Sequence, residues 1–253
     1  MADAICLDPL SYTSFIVEQL YQGQTMGTAT CFFVKRHEVP YLITNWHVVT
    51  GKNPKTQAVE HPQGVCPEQL KIAIFKNQDI VAREDLVVDL YANDGTPLWK
   101  EHPIHHQNVD VVAIEVKIPD GLMISFVEDC IEPLNDKTQV GIADDVFVLG
   151  YPFGMSVADQ FPIWKRASIA SEPVVDAEGL PLIYVDTATR SGMSGSPVLY
   201  REKRPISIMA GGQYSRYFMQ LVGVYSGRIG ENKDFTVQLG KVWKSVVIDE
   251  ICA

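Results

Sequence analysis

Apolar residues along this chain come in short runs rich in Val, Ile, Phe and Tyr: "TATCFFVKR", "YLITN", "LKIAIF", "LVVDLYA", "VDVVAIEVKI", "DVFVLGY", "PIWKRASIA", "LPLIYVDT", "SPVLY" and "LVGVYSG". Most are too short for helices, and Gly, Pro, Asn or Asp bound them. β-Branched and aromatic enrichment between turn signals predicts an all-β sandwich or barrel architecture. Two segments depart from this pattern. Residues 119–145, "PDGLMISFVEDCIEPLNDKTQVGIADD", are turn-rich, acidic and weakly patterned, and read as a connection between two β-halves. At the end, Leu239, Val242, Trp243, Val246, Val247 and Ile251 return at spacings of three and four, which predicts an amphipathic terminal helix over 239–253. The expected organisation is therefore 1–118, an N-terminal β-half; 119–145, the connection; 146–238, a second β-half; and 239–253, a helix packed on that second half.

Composition narrows the functional classes. At 253 residues the chain can bury a full core without disulfides or metals. A formal charge of −10 argues against a general nucleic-acid or anionic-membrane binder, because both need a basic face. Cys6, Cys31, Cys66, Cys130 and Cys252 are scattered with no zinc-ribbon or redox spacing, and an odd, sparse set reads as free thiols. "MADAICLDPLSYTSF" lacks a basic segment followed by an apolar core, and no apolar run is long enough to span a bilayer. The expected location is the reducing cytoplasm.

Candidate chemistry centres on "TRSGMSGSPVLY", where Ser194 lies between Gly192 and Gly195. A serine hydroxyl is a poor nucleophile at neutral pH and needs an adjacent base, itself held in one tautomer and orientation. Among six histidines, His47 stands apart: in "YLITNWHVVTG" it follows a strand directly and lies in an apolar segment, whereas the others sit in polar or proline-containing loops. Asp110 in "NVDVVAIEV" is a carboxylate at the mouth of an apolar strand, where it must find a partner or become neutral. The backbone N–H groups of Gly192 and Ser194 are candidate donors to a developing oxyanion. Ser191 and Ser196 are rival nucleophiles, less well placed before the first glycine and before Pro197. No histidine follows Ser194, which excludes an α/β-hydrolase order, and a subtilisin order would need a doubly wound α/β chain. The order that remains is His47, Asp110, Ser194.

That order on an all-β chain of two halves resembles the chymotrypsin-like serine proteases, and in detail the bacterial trypsin-like and HtrA-type branch. "GTATCFFV" with "YLITNWHVV" is similar to the family's strand pair that delivers the base. "VDVVAIEV" is similar to its aspartate segment, "VLGYPFG" to the entry of its second barrel, "DTATRSGMSGSPVLY" to its nucleophile loop and "LVGVYSG" to its cleft strand. The resemblance implies two antiparallel six-stranded β-barrels with a C-terminal α-helix, His47 and Asp110 from the first barrel and Ser194 from the second, and a site at their interface. It implies a serine endopeptidase acting on polypeptides through an acyl-enzyme, with Gly192 and Ser194 as the oxyanion hole and no cofactor or metal.

Departures from the family pattern refine that expectation. Met193 replaces the aspartate that pairs with a freshly cleaved N-terminus, so activation by propeptide cleavage is not expected. The cysteine that would pair with Cys31 beside the histidine is absent, since Val48 follows His47. Ala188 stands where trypsin-type enzymes carry the acid that selects Lys or Arg. Ala188, Thr189, Ser191, Tyr225 and Ser226 are the residues expected to line a substrate pocket of modest polarity, suited to a small or medium apolar residue. His102, His105 and His106 in "HPIHH" are not expected to bind zinc, and no domain comparable to the PDZ module of HtrA-type proteases is expected after the second barrel. The competing functional class is a catalytically idle or latent relative that binds peptides or a regulatory partner.

Overall fold

The computed structural model describes residues 7–76, 79–131, 140–158, 161–207, 213–229 and 238–253. The first half contains β1 (Ser14–Tyr21), β2 (Gln24–Arg36), β3 (Val39–Thr44), the short helix α1 (Trp46–Thr50), β4 (Gln69–Lys76), β5 (Asp79–Asp89), β6 (Trp99–Glu101), β7 (Val112–Glu115) and β8 (Leu122–Met123). The second contains β9 (Asp145–Gly150), β10 (Ile163–Ile169), β11 (Leu182–Asp186), β12 (Pro197–Ser207), β13 (Gln213–Arg228) and β14 (Leu239–Lys244), followed by helix α2 (Val246–Cys252). All ladders are antiparallel. Among the described residues no helix is long and apolar enough to cross a membrane.

The second half is a closed six-stranded barrel in the order β10-β11-β14-β13-β12-β9. The first is an eight-stranded sheet in the order β5-β4-β1-β2-β3-β7-β6, with β8 paired to β4. It carries two strands more than the six expected, because the short β6 and β8 add themselves to β7 and β4. Through β8, part of the 119–145 connection belongs to the first sheet; residues 132–139 of it, like Cys6, lie outside the described residues.

A period of two explains why the longest apolar runs lie where they do. In β2, Ala29, Cys31 and Phe33 enter the core of the first half, while Phe32 and Val34 enter a core shared between the halves. β3 repeats this with Leu42 against Tyr41 and Ile43, and β7 with Val112 and Ile114 against Ala113. Both faces of this three-stranded panel are buried, so its sequence reads as continuous apolar runs, not alternating ones. From the barrel, Leu149, Leu182, Leu199, Val224 and Trp243 complete the shared core. The barrel interior is separate and holds Val146, Val148, Ile183, Val185, Met193, Val198, Tyr225 and Val242.

The terminal segment corrects the helix expected over 239–253. Leu239–Lys244 is strand β14, paired with β11 on one side and β13 on the other, and only Val246–Cys252 is helical. Spacings of three and four in so short a stretch also fit a strand, and closing the barrel supplies two ladders of hydrogen bonds that a helix would forfeit. α2 lies mainly against β6 and β7 of the first sheet, in addition to the core that the second barrel helps to form. Val247, Ile248, Ile251 and Cys252 extend the shared core there, while Asp249 bonds Arg36 at 2.6 Å and Glu250 bonds His102 at 2.9 Å.

Phe32 is fully buried between the halves, so Phe32→Ala removes a large side chain from both and leaves a cavity. Chemical denaturation is expected to show a loss of about 3–5 kcal/mol, whereas Ile104→Ser, at a position 75% exposed, leaves the midpoint within error.

Candidate active site

Register brings the first two candidate residues together. Thr44, the last residue of β3, pairs with Val112, the first of β7, so the chain leaving β3 and the chain entering β7 lie side by side. Asn45 and α1 follow the first, and Asp110 precedes the second. Asn45, fully buried, donates through Nδ2 to the Asp110 carbonyl at 2.6 Å and ties the two segments together. Gly51, in the left-handed conformation at φ 65°, ends α1 after five residues, its N–H capping the His47 carbonyl. His47 is thereby fixed on a single helical turn against the sheet.

Asp110 is 5% exposed and its carboxylate accepts three hydrogen bonds: His47 N–H to Oδ1 at 2.9 Å, His47 Nδ1 to Oδ2 at 2.7 Å, and Ser226 Oγ to Oδ2 at 2.5 Å. These three donors supply the hydrogen bonds that a buried carboxylate needs. Because Oδ2 accepts from Nδ1, the neutral imidazole carries its proton there and presents an unprotonated Nε2 on the opposite edge. Burial disfavours the His47 imidazolium, but the charge and hydrogen bond of Asp110 outweigh it. With a further contribution from Glu60, the pKa is raised above the ordinary histidine value.

Ser194 lies in the turn before β12. Ser194 and His47 line one cavity of about 260 Å³, together with Met26, Thr28, Ser191 and Gly192. Every carbonyl from Arg190 to Ser194 has a donor: Met193 N to Arg190 O (3.3 Å), Phe153 N to Ser191 O (2.7 Å), Thr30 Oγ1 to Gly192 O (2.7 Å), Ser196 N to Met193 O (3.1 Å) and Thr30 N to Ser194 O (2.8 Å). The peptide bonds are trans, so each N–H points opposite to the carbonyl of the preceding residue. With the Ser191 and Met193 carbonyls held elsewhere, the Gly192 and Ser194 amides face the other way, and among the described residues neither donates to a backbone carbonyl. Gly192 has φ +93° and Gly195 has φ +83°; a Cβ at either would collide with a backbone carbonyl, Tyr151 O or Thr30 O. Only glycine allows that geometry.

The remaining pocket candidates divide. Ser191 is exposed and lines the 260 Å³ cavity. Ser226 belongs with Asp110, as its third donor, and also borders a second cavity of about 330 Å³ on the other side of His47. Lys55, Glu178, Leu180, Gly227, Lys241 and Trp243 line that cavity as well. Thr189 and Tyr225 are 2% and 1% exposed, and their hydroxyls bond one another. Burial pushes the Tyr225 phenol up to about 12. Neither cavity has Ala188, Thr189 or Tyr225 in its wall.

Sequence reasoning missed Thr30 and Asn45 altogether, because a buried Thr and Asn inside apolar strand ends look like ordinary core filling. Thr30 in "TATCFF" and Asn45 in "LITNW", polar residues beside apolar ones, are the signal that was present. His102 is 3% exposed; its Nδ1 accepts from the Ile104 and His105 N–H groups, and its Nε2 faces Glu250.

Two β-halves, with a histidine–aspartate pair from one and a serine turn from the other, define a chymotrypsin-like serine protease fold. The family model of the trypsin-like peptidase domain matches residues 29–208, and the chain belongs to that family. Among solved structures, a serine endoprotease from Yersinia pestis aligns with a TM-score of 0.52 at 11% identity, covering 96% of this chain. The chain spans 62% of the length of that structure. An inactive form of the Rv3671c protease aligns at 0.48 with 16% identity, covering 95% of this chain and 87% of that one. An inactive mutant of Rv3671c from M. tuberculosis aligns at 0.47 with 14% identity, covering 97% and 85%. No curated protein matches the chain.

NMR titration of the His47 imidazole is expected to give a pKa above the ordinary histidine value. Asp110→Asn removes the dominant favourable charge and brings it down sharply, and Glu60→Gln lowers it less. A His47 titration unchanged in Asp110→Asn contradicts the arrangement.

Proposed function

We propose that this protein is a serine endopeptidase in which Ser194 is the nucleophile, His47 the general base and acid, and Asp110 the buried group that orients His47 and stabilises its cationic form. The observation that supports this best is that His47, with a proton-accepting Nε2, and the Ser194 turn line one cavity beside two backbone amides that have no backbone partner among the described residues. In the reaction, Ser194 Oγ attacks the scissile carbonyl as His47 Nε2 takes its proton. Negative charge on the carbonyl oxygen falls on the Gly192 and Ser194 amides, fixed before the reaction begins. His47 returns the proton to the leaving amine, and water repeats the cycle on the acyl-enzyme.

Cavities on both sides of His47 leave room for a polypeptide before and after the bond cut, which favours internal cleavage over trimming of ends. The preference before the scissile bond is for small residues. By resemblance, the pocket for that residue lies between residues 188–191 and 225–226, where Tyr225 is buried with its hydroxyl tied to Thr189. Ala188 offers no charge for a basic side chain.

A fluorophosphonate probe is expected to modify Ser194 in the wild type and to lose that reaction in His47→Ala. Asp110→Asn is expected to lower kcat by about 10⁴-fold, as in other triads deprived of the orienting carboxylate. A wild type that is not labelled, or labelling unchanged in His47→Ala, rejects the peptidase. For wild type, kcat/KM falls as pH drops and His47 takes up the proton it must accept from Ser194. The midpoint lies above the ordinary histidine value and moves to lower pH in Glu60→Gln. Tyr225→Val is expected to raise kcat/KM for a large apolar residue before the cut, relative to alanine, by about tenfold; an unchanged ratio removes Tyr225 from specificity.

A further inference from the structure

Resting on the peptidase reading, we propose that the Thr30 side chain is a positioning residue that holds the oxyanion loop in its reactive form from the opposite half of the molecule. Thr30 lies in β2 with the parity of Phe32 and Val34, on the face of the panel turned to the second half, and it is fully buried. It makes four hydrogen bonds. Its N–H donates to Ser194 O at 2.8 Å, and its hydroxyl donates to Gly192 O at 2.7 Å and accepts from Tyr151 N–H at 3.3 Å. Its own carbonyl accepts from Thr44 Oγ1 at 2.9 Å. A threonine hydroxyl has one proton to give, and the Gly192 carbonyl receives it.

Of the five donors that hold the carbonyls from Arg190 to Ser194, four are backbone amides and one is a side chain, the Thr30 hydroxyl. That one bond fixes the peptide between Gly192 and Met193, next to a glycine that at φ +93° is free to adopt other conformations. If the Gly192 carbonyl lost its donor, a buried acceptor would be left unpaired, and rotation of the adjacent peptides would relieve it. Rotation of the Gly192–Met193 peptide displaces the Gly192 Cα that it shares with the Ser191–Gly192 peptide, and with it the amide aimed at the oxyanion. Thr30 thus supplies, from within the folded chain, the loop-fixing contact for which Met193 offers no charged group. Because Thr30 belongs to the first half and Gly192 to the second, docking of the halves and assembly of the oxyanion hole become one event.

The test compares Thr30→Val, which keeps the shape and deletes the hydroxyl, with Thr30→Ser, which keeps the hydroxyl. Thr30→Val is expected to lower kcat about 10- to 100-fold with little change in KM, since the lost interaction serves the charged transition state. Affinity for a peptidyl boronate, which mimics that state, falls in parallel, while peptide binding measured in the Ser194→Ala background is unchanged. Thr30→Ser stays within about threefold of wild type. Wild-type kcat in Thr30→Val, or equal losses in both variants, overturns the proposal. If Thr30→Val does not fold, Thr30→Cys, with its weak S–H donor, is expected to fall between wild type and that loss, and wild-type activity in it overturns the proposal. Amide exchange separates this from failure of the peptidase reading. Even in a chain that cleaves nothing, losing the hydroxyl speeds exchange of residues 190–195 over wild type while the Phe32 region is unchanged, and unchanged exchange at 190–195 overturns the proposal.

Discussion

A charged carboxylate with almost no access to water is the constraint around which this molecule is arranged. Asp110 is 5% exposed, and its three donors come from two places: the main chain and ring of His47 in the first half, and the hydroxyl of Ser226 in the second. Until the halves dock, the carboxylate lacks one of these partners and retains more water. Once they dock, leaving the charge unpaired would cost more than any single apolar contact nearby contributes. The strand register that sets Thr44 beside Val112, the one-turn helix stopped at Gly51, and the Asn45 bridge to the Asp110 carbonyl all hold donor and acceptor within this geometry.

The same docking governs the serine turn. β2 sends Phe32 and Val34 into the shared core and Thr30 into the hydrogen bonds of the loop from Arg190 to Ser194. On the other side of that loop, Phe153 sits in the left-handed region at φ +55°, an unfavourable conformation for an aromatic residue, and its N–H holds the Ser191 carbonyl at 2.7 Å. The loop is clamped between the first half and the turn after β9, and its two outward amides are what the clamping leaves unused. In the proposed reaction, backbone groups made available in this way need no reorganisation when charge develops beside them.

How much of this was legible in the sequence depended on whether a residue's role was set locally or by a distant partner. His47, Asp110 and Ser194 stand out in the sequence because each is a polar residue beside an apolar strand, and the structure brings His47 together with Asp110 and sets His47 and Ser194 on one cavity. β14 was read as helix because spacings of three and four also occur by chance in six residues. Only the ladders to β11 and β13, more than 50 and about 15 residues away in the chain, settle the competition. Ser226 and Tyr225 are neighbours in "VYSG" and are expected in one pocket, yet the irregularity of β13 between Tyr225 and Gly227 gives them different partners. One reaches Asp110 and the other fills the barrel beside Thr189. Thr30 was invisible for the same reason: its partner, the Gly192 carbonyl, is 162 positions away.

Two histidine–carboxylate pairs among the described residues differ in the hydrogen-bond capacity left to the ring. His47 faces Asp110 at 2.7 Å and His102 faces Glu250 at 2.9 Å, so distance does not discriminate. Hydrogen-bond capacity does. His102 spends Nδ1 on the N–H groups of Ile104 and His105, which fixes its proton on Nε2 and leaves that nitrogen to Glu250; both ring nitrogens are committed to holding a loop and the terminal helix together. His47 spends only Nδ1, on a carboxylate that is itself buried and immobilised, and its other nitrogen borders the cavity shared with Ser194. Glu250 is 45% exposed at its side chain and therefore screened by water, whereas the Asp110 side chain is 6% exposed. The Asp110 charge acts on His47 from a largely buried position, where the same separation gives a stronger field. The pair proposed to be reactive is the one whose acceptor is buried and whose donor still has an unused edge.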